Sequence, residues 1–209
     1  AGLAVPQIVT GELFGADGLC LVTADEALYD RAMVRTRAVI DLAAYLGAMV
    51  NIGRLRGRLE WLGGGATAWK VAVERIRMVT EYAARQGVCI TLEPINRYET
   101  DFLLTAADGM RFVEQVGLDN LGLMLDVFHM NIEEPTFDDG FSTAGERLWH
   151  VHIADSNRNY PGSGHIPFDA VFQTLNQQGY QGFVSAELRP LPDADTAAEK
   201  TIEFLQKYV

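Results

Sequence analysis

The sequence predicts an α/β protein, an incomplete (β/α)8 TIM barrel of about six βα units, in one domain over residues 1–209. Three observations predict it. Short apolar runs alternate regularly with segments of helical period, the pattern of a parallel sheet joined by right-handed crossovers. The apolar runs lack clean alternation, as strands buried on both faces do. Four ionisable residues stand after successive runs about one unit apart, so a parallel sheet would gather them at its C-terminal face, where barrel enzymes carry their active sites.

The first run is Ala4 to Val9. A helix-period stretch follows over Ala27 to Leu46, with Leu28, Ala32, Val39, Leu42 and Leu46 on one expected inward face and Gly47 as its stop. Ala48 to Ile52 is the second strand. The next helix, Ala68 to Gln86, carries Trp69, Val73, Ile76, Thr80 and Ala83 on one face and ends at Gly87. Val88 to Leu92 is rich in β-formers. Thr105 to Asp108 resembles a capping box with Asp in place of Glu, and its helix presents Met110, Val113 and Val116 before Gly117. Strands follow at Leu121 to Leu125 and Leu148 to Ile153. Phe168, Val171, Phe172 and Leu175 define a helix face stopped near Gly179, and Gly182 to Ala186 is the last strand. The final helix, about Thr196 to Tyr208, is expected to face inward with Ala198, Ile202 and Leu205. No Gly-x-Gly-x-x-Gly follows the first strand, which argues against a dinucleotide fold.

Composition narrows the function. The chain has 209 residues and a formal net charge of −11, which works against non-specific nucleic-acid binding and favours a soluble protein. Arg54, Arg56 and Arg58 form a small basic run, read as a solvated loop. No apolar run approaches the roughly 20 residues that span a bilayer, and no secretory signal pattern is visible. Two cysteines, Cys20 and Cys89, make neither a disulfide framework nor a Cys-rich zinc site, so a reducing cytoplasm is the expected compartment.

The chemistry sits at the strand ends. Glu93 follows Val88–Leu92, Asp126 follows Leu121–Leu125, His152 lies within Trp149–Ile153, and Glu187 follows Phe183–Ala186. Three carboxylates brought together repel one another, and a divalent cation removes that cost. One imidazole among oxygen donors suits Mn²⁺, Mg²⁺ or Co²⁺ better than it suits a structural zinc site. Each acid taken alone also fits a helix cap or a solvated loop. Of the two histidines in one strand, one is expected to face the barrel interior and the other the helix layer. His165 is read as a loop residue.

These residues resemble a known family. Leu92-Glu93-Pro94-Ile95-Asn96-Arg97-Tyr98-Glu99, Leu125-Asp126-Val127-Phe128-His129-Met130-Asn131-Ile132-Glu133-Glu134, His150-Val151-His152 with Asn157-Arg158 and Pro161–Phe168, and Ala186-Glu187 are similar to the fifth- to eighth-strand motifs of ketose 3-epimerases of the D-tagatose/D-psicose type. Those belong to the xylose-isomerase-like sugar isomerase/epimerase superfamily. Hydroxypyruvate isomerases share much of the pattern. An endonuclease-IV-like enzyme would need several zinc ions and more histidines than the four present.

The resemblance implies an isomerase holding one divalent ion, Mn²⁺ first with Co²⁺, Mg²⁺ and Zn²⁺ as alternatives, on Glu93, Asp126, His152 and Glu187. It makes Glu93 and Glu187 the catalytic acid/base pair, inverting a carbon next to a ketone through an enediolate. Glu99, His129 and Arg158 would hold the sugar oxygens; each also fits a structural role, as a solvated acid, a packed or capping imidazole and a surface cation. The family's first two βα units have no counterpart here, and the chain starts at Ala1 without a Met, as a trimmed or processed chain would. An open barrel is therefore expected, with edges that a homodimer or higher oligomer covers, and with weak or no activity from this length of chain alone. A metal- or sugar-binding remnant that turns nothing over is the non-catalytic alternative.

Overall fold

All six predicted strands form, and they pair in parallel in chain order. The computed structural model describes residues 2–208. Its strands are β1 (Gln7–Val9), β2 (Met49–Ile52), β3 (Ile90–Leu92), β4 (Leu121–Asp126), β5 (Leu148–Ile153) and β6 (Phe183–Ala186), in one sheet of order β1-β2-β3-β4-β5-β6. Together they make a half-barrel with β1 and β6 as its edges. The helices are α1 (Gly11–Gly15), α2 (Glu26–Leu46), α3 (Gly65–Arg85), α4 (Ala106–Val116), α5 (Val127–Glu133), α6 (Phe137–Ala144), α7 (Phe168–Gln177) and α8 (Ala194–Leu205). One-turn 3-10 segments at Arg54–Arg56, Leu59–Leu62 and Gly145–Arg147 complete the regular structure.

The core lies between the sheet and the helices that cover its outer face. Ile40 of α2, Ile76 and Val79 of α3, Phe112 of α4, Phe141 of α6 and Val171 of α7 are essentially buried. Burying each such side chain contributes roughly 1.5–3 kcal/mol, so the helical layer stabilises the central strands most. Local signals agree with this packing. Thr105 Oγ1 accepts from Asp108 N at 3.2 Å as the N-cap of α4, and Gly47 and Gly117 end α2 and α4 in the left-handed conformation that glycine adopts without strain.

Four expectations need correcting. In α2 the buried face is Ala32, Met33, Thr36, Ile40 and Ala43, whereas Leu42 and Leu46 are exposed. In α8 the buried residues are Ala197 and Thr201, with Phe204 stacked edge-on against Phe168 of α7, while Ile202 is 61% exposed. Both helices flank an edge of the sheet and have a helical neighbour on one side only. Periodicity locates an apolar stripe but not which part of it finds a partner.

The third correction concerns Arg56, which is not solvated. It is fully buried, and its guanidinium donates to the carbonyls of Gly53 (2.9 Å), Glu93 (2.8 Å), Phe102 (3.0 Å) and Leu103 (3.3 Å). Arg54 and Arg58 remain at the surface. Burial brings Arg56 down to about 10, so it stays charged at neutral pH and ties the loop after β2 to the loop after β3. The fourth concerns His150 and His152, whose rings meet edge to face at 5.1 Å on the same side of β5. Residues two apart on a strand share a face, so the two histidines could not have pointed oppositely.

Candidate metal centre

The parallel sheet delivers Glu93, Asp126, His152 and Glu187 to one point. They stand at the C-terminal ends of β3, β4, β5 and β6, and one ligand atom from each lies within 4.8 Å of all the others. Glu93, Asp126 and His152 are buried, and Glu187 is partly open. Asp126 also caps α5, since its Oδ1 accepts from Phe128 N at 2.8 Å. Its other oxygen, Oδ2, accepts from Arg158 Nη1.

The structure also brings to the cleft the three residues expected to hold sugar oxygens. Glu99, His129 and Arg158 line a cavity of about 640 Å³ together with Glu93 and Glu187. His129 is buried, with Nε2 3.6 Å from Glu93 Oε1 and Nδ1 2.8 Å from Asn96 Nδ2. Asn96 Nδ2 also donates to Glu99 Oε1 at 3.0 Å, so one amide sets both side chains. Arg158 is not a surface cation. Its guanidinium reaches Asp126 Oδ2 at 2.5 Å and pairs with Glu187 Oε2, and it stacks over the Phe128 ring at 4.7 Å. Its φ of 62° is left-handed, a conformation that a non-glycine residue holds only when its surroundings enforce it.

Three residues of the site carried no role in the sequence reading. Asn51 donates to Glu93 Oε2 at 3.0 Å. Asn96 donates to both His129 and Glu99. Asp155, almost wholly buried, accepts from the backbone N–H groups of Ser156 and Gly162 at 2.7 Å and Ile166 at 3.1 Å. It thereby ties down the loop that carries Arg158. Asn51 was visible as the one amide in an otherwise apolar run, and Asn96 lies inside a motif already singled out; Asp155 gave no separate signal.

The acidic cluster is only partly compensated, by Arg158 against Asp126 and Glu187. Burial, with the charges of Glu187 and Asp126, pushes Glu93 up to about 7. Burial works to lower His152, but Glu187, Glu93 and Asp126 together raise it. Glu187 is held below its usual range because His152 and Arg158 outweigh its burial. Burial depresses His129, leaving it neutral at pH 7.

A divalent ion fits these residues on three grounds. The donor set is three carboxylates and one imidazole. His152 Nδ1 is buried without a hydrogen-bond partner and sits 3.6 Å from Glu187 Oε2. Arg158 places a positive charge between two of the carboxylates, where a cation is needed.

A barrel-type parallel sheet with an acidic and imidazole cluster at its C-terminal edge defines a class, and the chain belongs to it: the family described as xylose isomerase-like TIM barrel matches residues 7–208. Within that family it is similar to a D-psicose 3-epimerase from Agrobacterium fabrum, 43% identical over 115 residues, which are 55% of this chain and 40% of the relative. An L-ribulose 3-epimerase from Methylomonas sp. is 40% identical over 169 residues, 80% of this chain and 59% of that protein. The solved structure of a D-allulose 3-epimerase from Methylomonas sp. in complex with D-allulose superposes with a TM-score of 0.79 at 27% identity, covering 96% of this chain and 81% of that one. The chain spans about half the length of the curated relatives it matches.

Proposed function

We propose that this protein is a divalent-metal-dependent ketose 3-epimerase, an isomerase in which Glu93 and Glu187 exchange a proton with the carbon next to a sugar ketone. The observation that carries this reading is the placement of two glutamates from β3 and β6 in one cleft, with Asp126 and His152 between them in the chain. Glu93, Asp126, His152 and Glu187 would hold the ion, Mn²⁺ by donor type, with Co²⁺, Mg²⁺ and Zn²⁺ as alternatives. When bound, the ion supplies Lewis-acid stabilisation of charge developing on the ketone oxygen.

The chain's own residues do the rest. One glutamate takes the proton from C3, leaving an enediolate in the sugar. The other delivers a proton to the opposite face, and the carbon inverts. Glu99, His129 and Arg158 orient the sugar oxygens around that carbon. His129 accepts from Asn96 at Nδ1, so in the neutral ring Nε2 carries the hydrogen and can donate to a sugar oxygen without adding charge beside Glu93. Arg158 has to exchange part of its contact with Asp126 and Glu187 for substrate, which its exposure toward the cleft permits. The substrate is a free ketose, supported by the sugar-bound relative. We further infer a homodimer or higher oligomer, because β1 and β6 are open edges on which Val9 and Phe183 are about half exposed.

The test is metal-stripped protein reloaded with Mn²⁺ or Co²⁺ and incubated with a ketohexose panel in D₂O. Metal-dependent deuterium at C3, abolished by Glu93→Gln and by Glu187→Gln, is the expected result. Deuterium at C1 would mean an aldose–ketose isomerase instead. Tight metal binding with no exchange on any sugar would mean a binding site without turnover.

A further inference from the structure

A line of hydrogen-bonded polar side chains runs from the half-buried Gln7 across the half-barrel and ends on the buried Glu93. Gln7 Nε2 of β1 donates to Thr91 Oγ1 of β3 at 2.9 Å. The Thr91 hydroxyl donates to Asn51 Oδ1 of β2 at 3.3 Å, and Asn51 Nδ2 donates to Glu93 Oε2 at 3.0 Å. Asn51 and Thr91 are register partners across β2 and β3, and both are buried. The backbone carbonyl of Asn51 is held as well, by Thr10 Oγ1 at 2.7 Å.

This wiring leaves Asn51 one orientation. Its amide oxygen is occupied by a hydroxyl donor, so its NH₂ has to face the carboxylate. Gly53, two residues further on, closes the other side: a Cβ there would collide with Glu93 Oε2. The carboxylate is thus wedged against backbone on one side and anchored through a single oxygen on the other. Its second oxygen, Oε1, turns toward His129, 3.6 Å away.

We infer that Asn51 is the positioning residue for Glu93, fixing one carboxylate oxygen so that the other is presented to the metal and substrate. The amide type suits that task. An aspartate here would add a fourth carboxylate to the cluster, and a lysine would repel the ion. An asparagine donates strongly, cannot ionise and cannot compete for the proton that Glu93 is to carry. Thr91 acts one step further out by preventing the amide from turning over. This inference rests on the reading of Glu93 as ligand and acid/base.

The experiment is a double-mutant cycle of Asn51→Leu and Glu93→Ala, read by calorimetric Mn²⁺ titration, with kcat and KM of Asn51→Leu compared with those of the unsubstituted protein on the ketose that exchanges. Asn51→Leu is expected to weaken Mn²⁺ binding about tenfold, as loss of a partner that orients a ligand does. Its kcat should fall with KM nearly unchanged. In the Glu93→Ala background the same substitution should cost little more, because its acceptor is gone. Losses that simply add, or unchanged Mn²⁺ affinity in Asn51→Leu, would overturn the inference. If Asn51→Leu does not fold, Thr91→Val keeps the asparagine and removes its anchor. A smaller loss in the same direction supports the inference, and no change in affinity or kcat overturns it. Failure of the underlying metal reading shows separately, as no Mn²⁺ binding by the unsubstituted protein. The Asn51–Glu93 coupling is then read from unfolding midpoints in the same cycle, and additivity there overturns it.

Discussion

In the cluster, burial raises Glu93, whereas at Glu187 the partners outweigh burial and lower it, and the position of Glu93 has a measurable cost. Its proton is held up to about 7 in the folded, metal-free protein, against about 4.5 in an unfolded chain. A raised folded value means that its contribution to stability is present below about pH 4.5 and is lost as pH rises through about 7. Metal-free protein should therefore lose stability relative to Glu93→Gln between those limits, by up to about 3 kcal/mol. Denaturant midpoints of the two proteins at pH 5 and pH 8 check this; a constant difference would refute it. Arg158 belongs to the same scale. Its removal leaves Asp126, which is completely buried, without a charged partner. Arg158→Gln should destabilise the metal-free protein by roughly 3 kcal/mol, and saturating Mn²⁺ should restore most of that loss. Thermal unfolding with and without the ion measures both.

Among the elements, the loop from Asp155 to Ile166 does the most for the site with the least regular structure. One carboxylate gathers three backbone N–H groups, and their donation outweighs burial and holds Asp155 below its usual range. The same turn carries Arg158 in its left-handed conformation, with Arg158 N donating to the Asp155 carbonyl at 2.7 Å. Asp155→Ala should cost about 2 kcal/mol and raise hydrogen exchange across residues 156–166, while the β5 amides stay protected. Exchange measured by mass spectrometry on that peptide decides it. At α4 the cap read from Thr105 is present, and Thr105→Ala should lower stability by about 1 kcal/mol with no effect on metal affinity.

At the largest scale, the sheet of the described chain has β1 and β6 as its two edges. Two edge strands and the flanking helices α2 and α8 leave Val9, Phe183, Leu42, Tyr45 and Ile202 substantially exposed. Surfaces of this kind associate. Light scattering of the purified protein should give a mass of at least two chains, and a monodisperse monomer would refute the oligomer. No described helix is long and apolar enough to cross a membrane.

Much of the site was legible because a parallel sheet converts sequence spacing into position. Acids and a histidine after successive apolar runs had to meet at one edge once the strands paired in order. Periodicity likewise located the buried faces of α3 and α4, which have neighbours on both sides. It misjudged α2 and α8, where burial depends on what lies beyond the sheet edge. The sequence by itself determined the βα order, the four cluster residues, the Thr105 cap of α4 and the glycine stops of α2 and α4. Only the tertiary structure decided that Arg56 is buried, that Arg158 spans two carboxylates, and that Asn51 and Thr91 hold Glu93. Those outcomes turn on contacts between residues 32 to 46 positions apart in the chain, which local pattern does not encode.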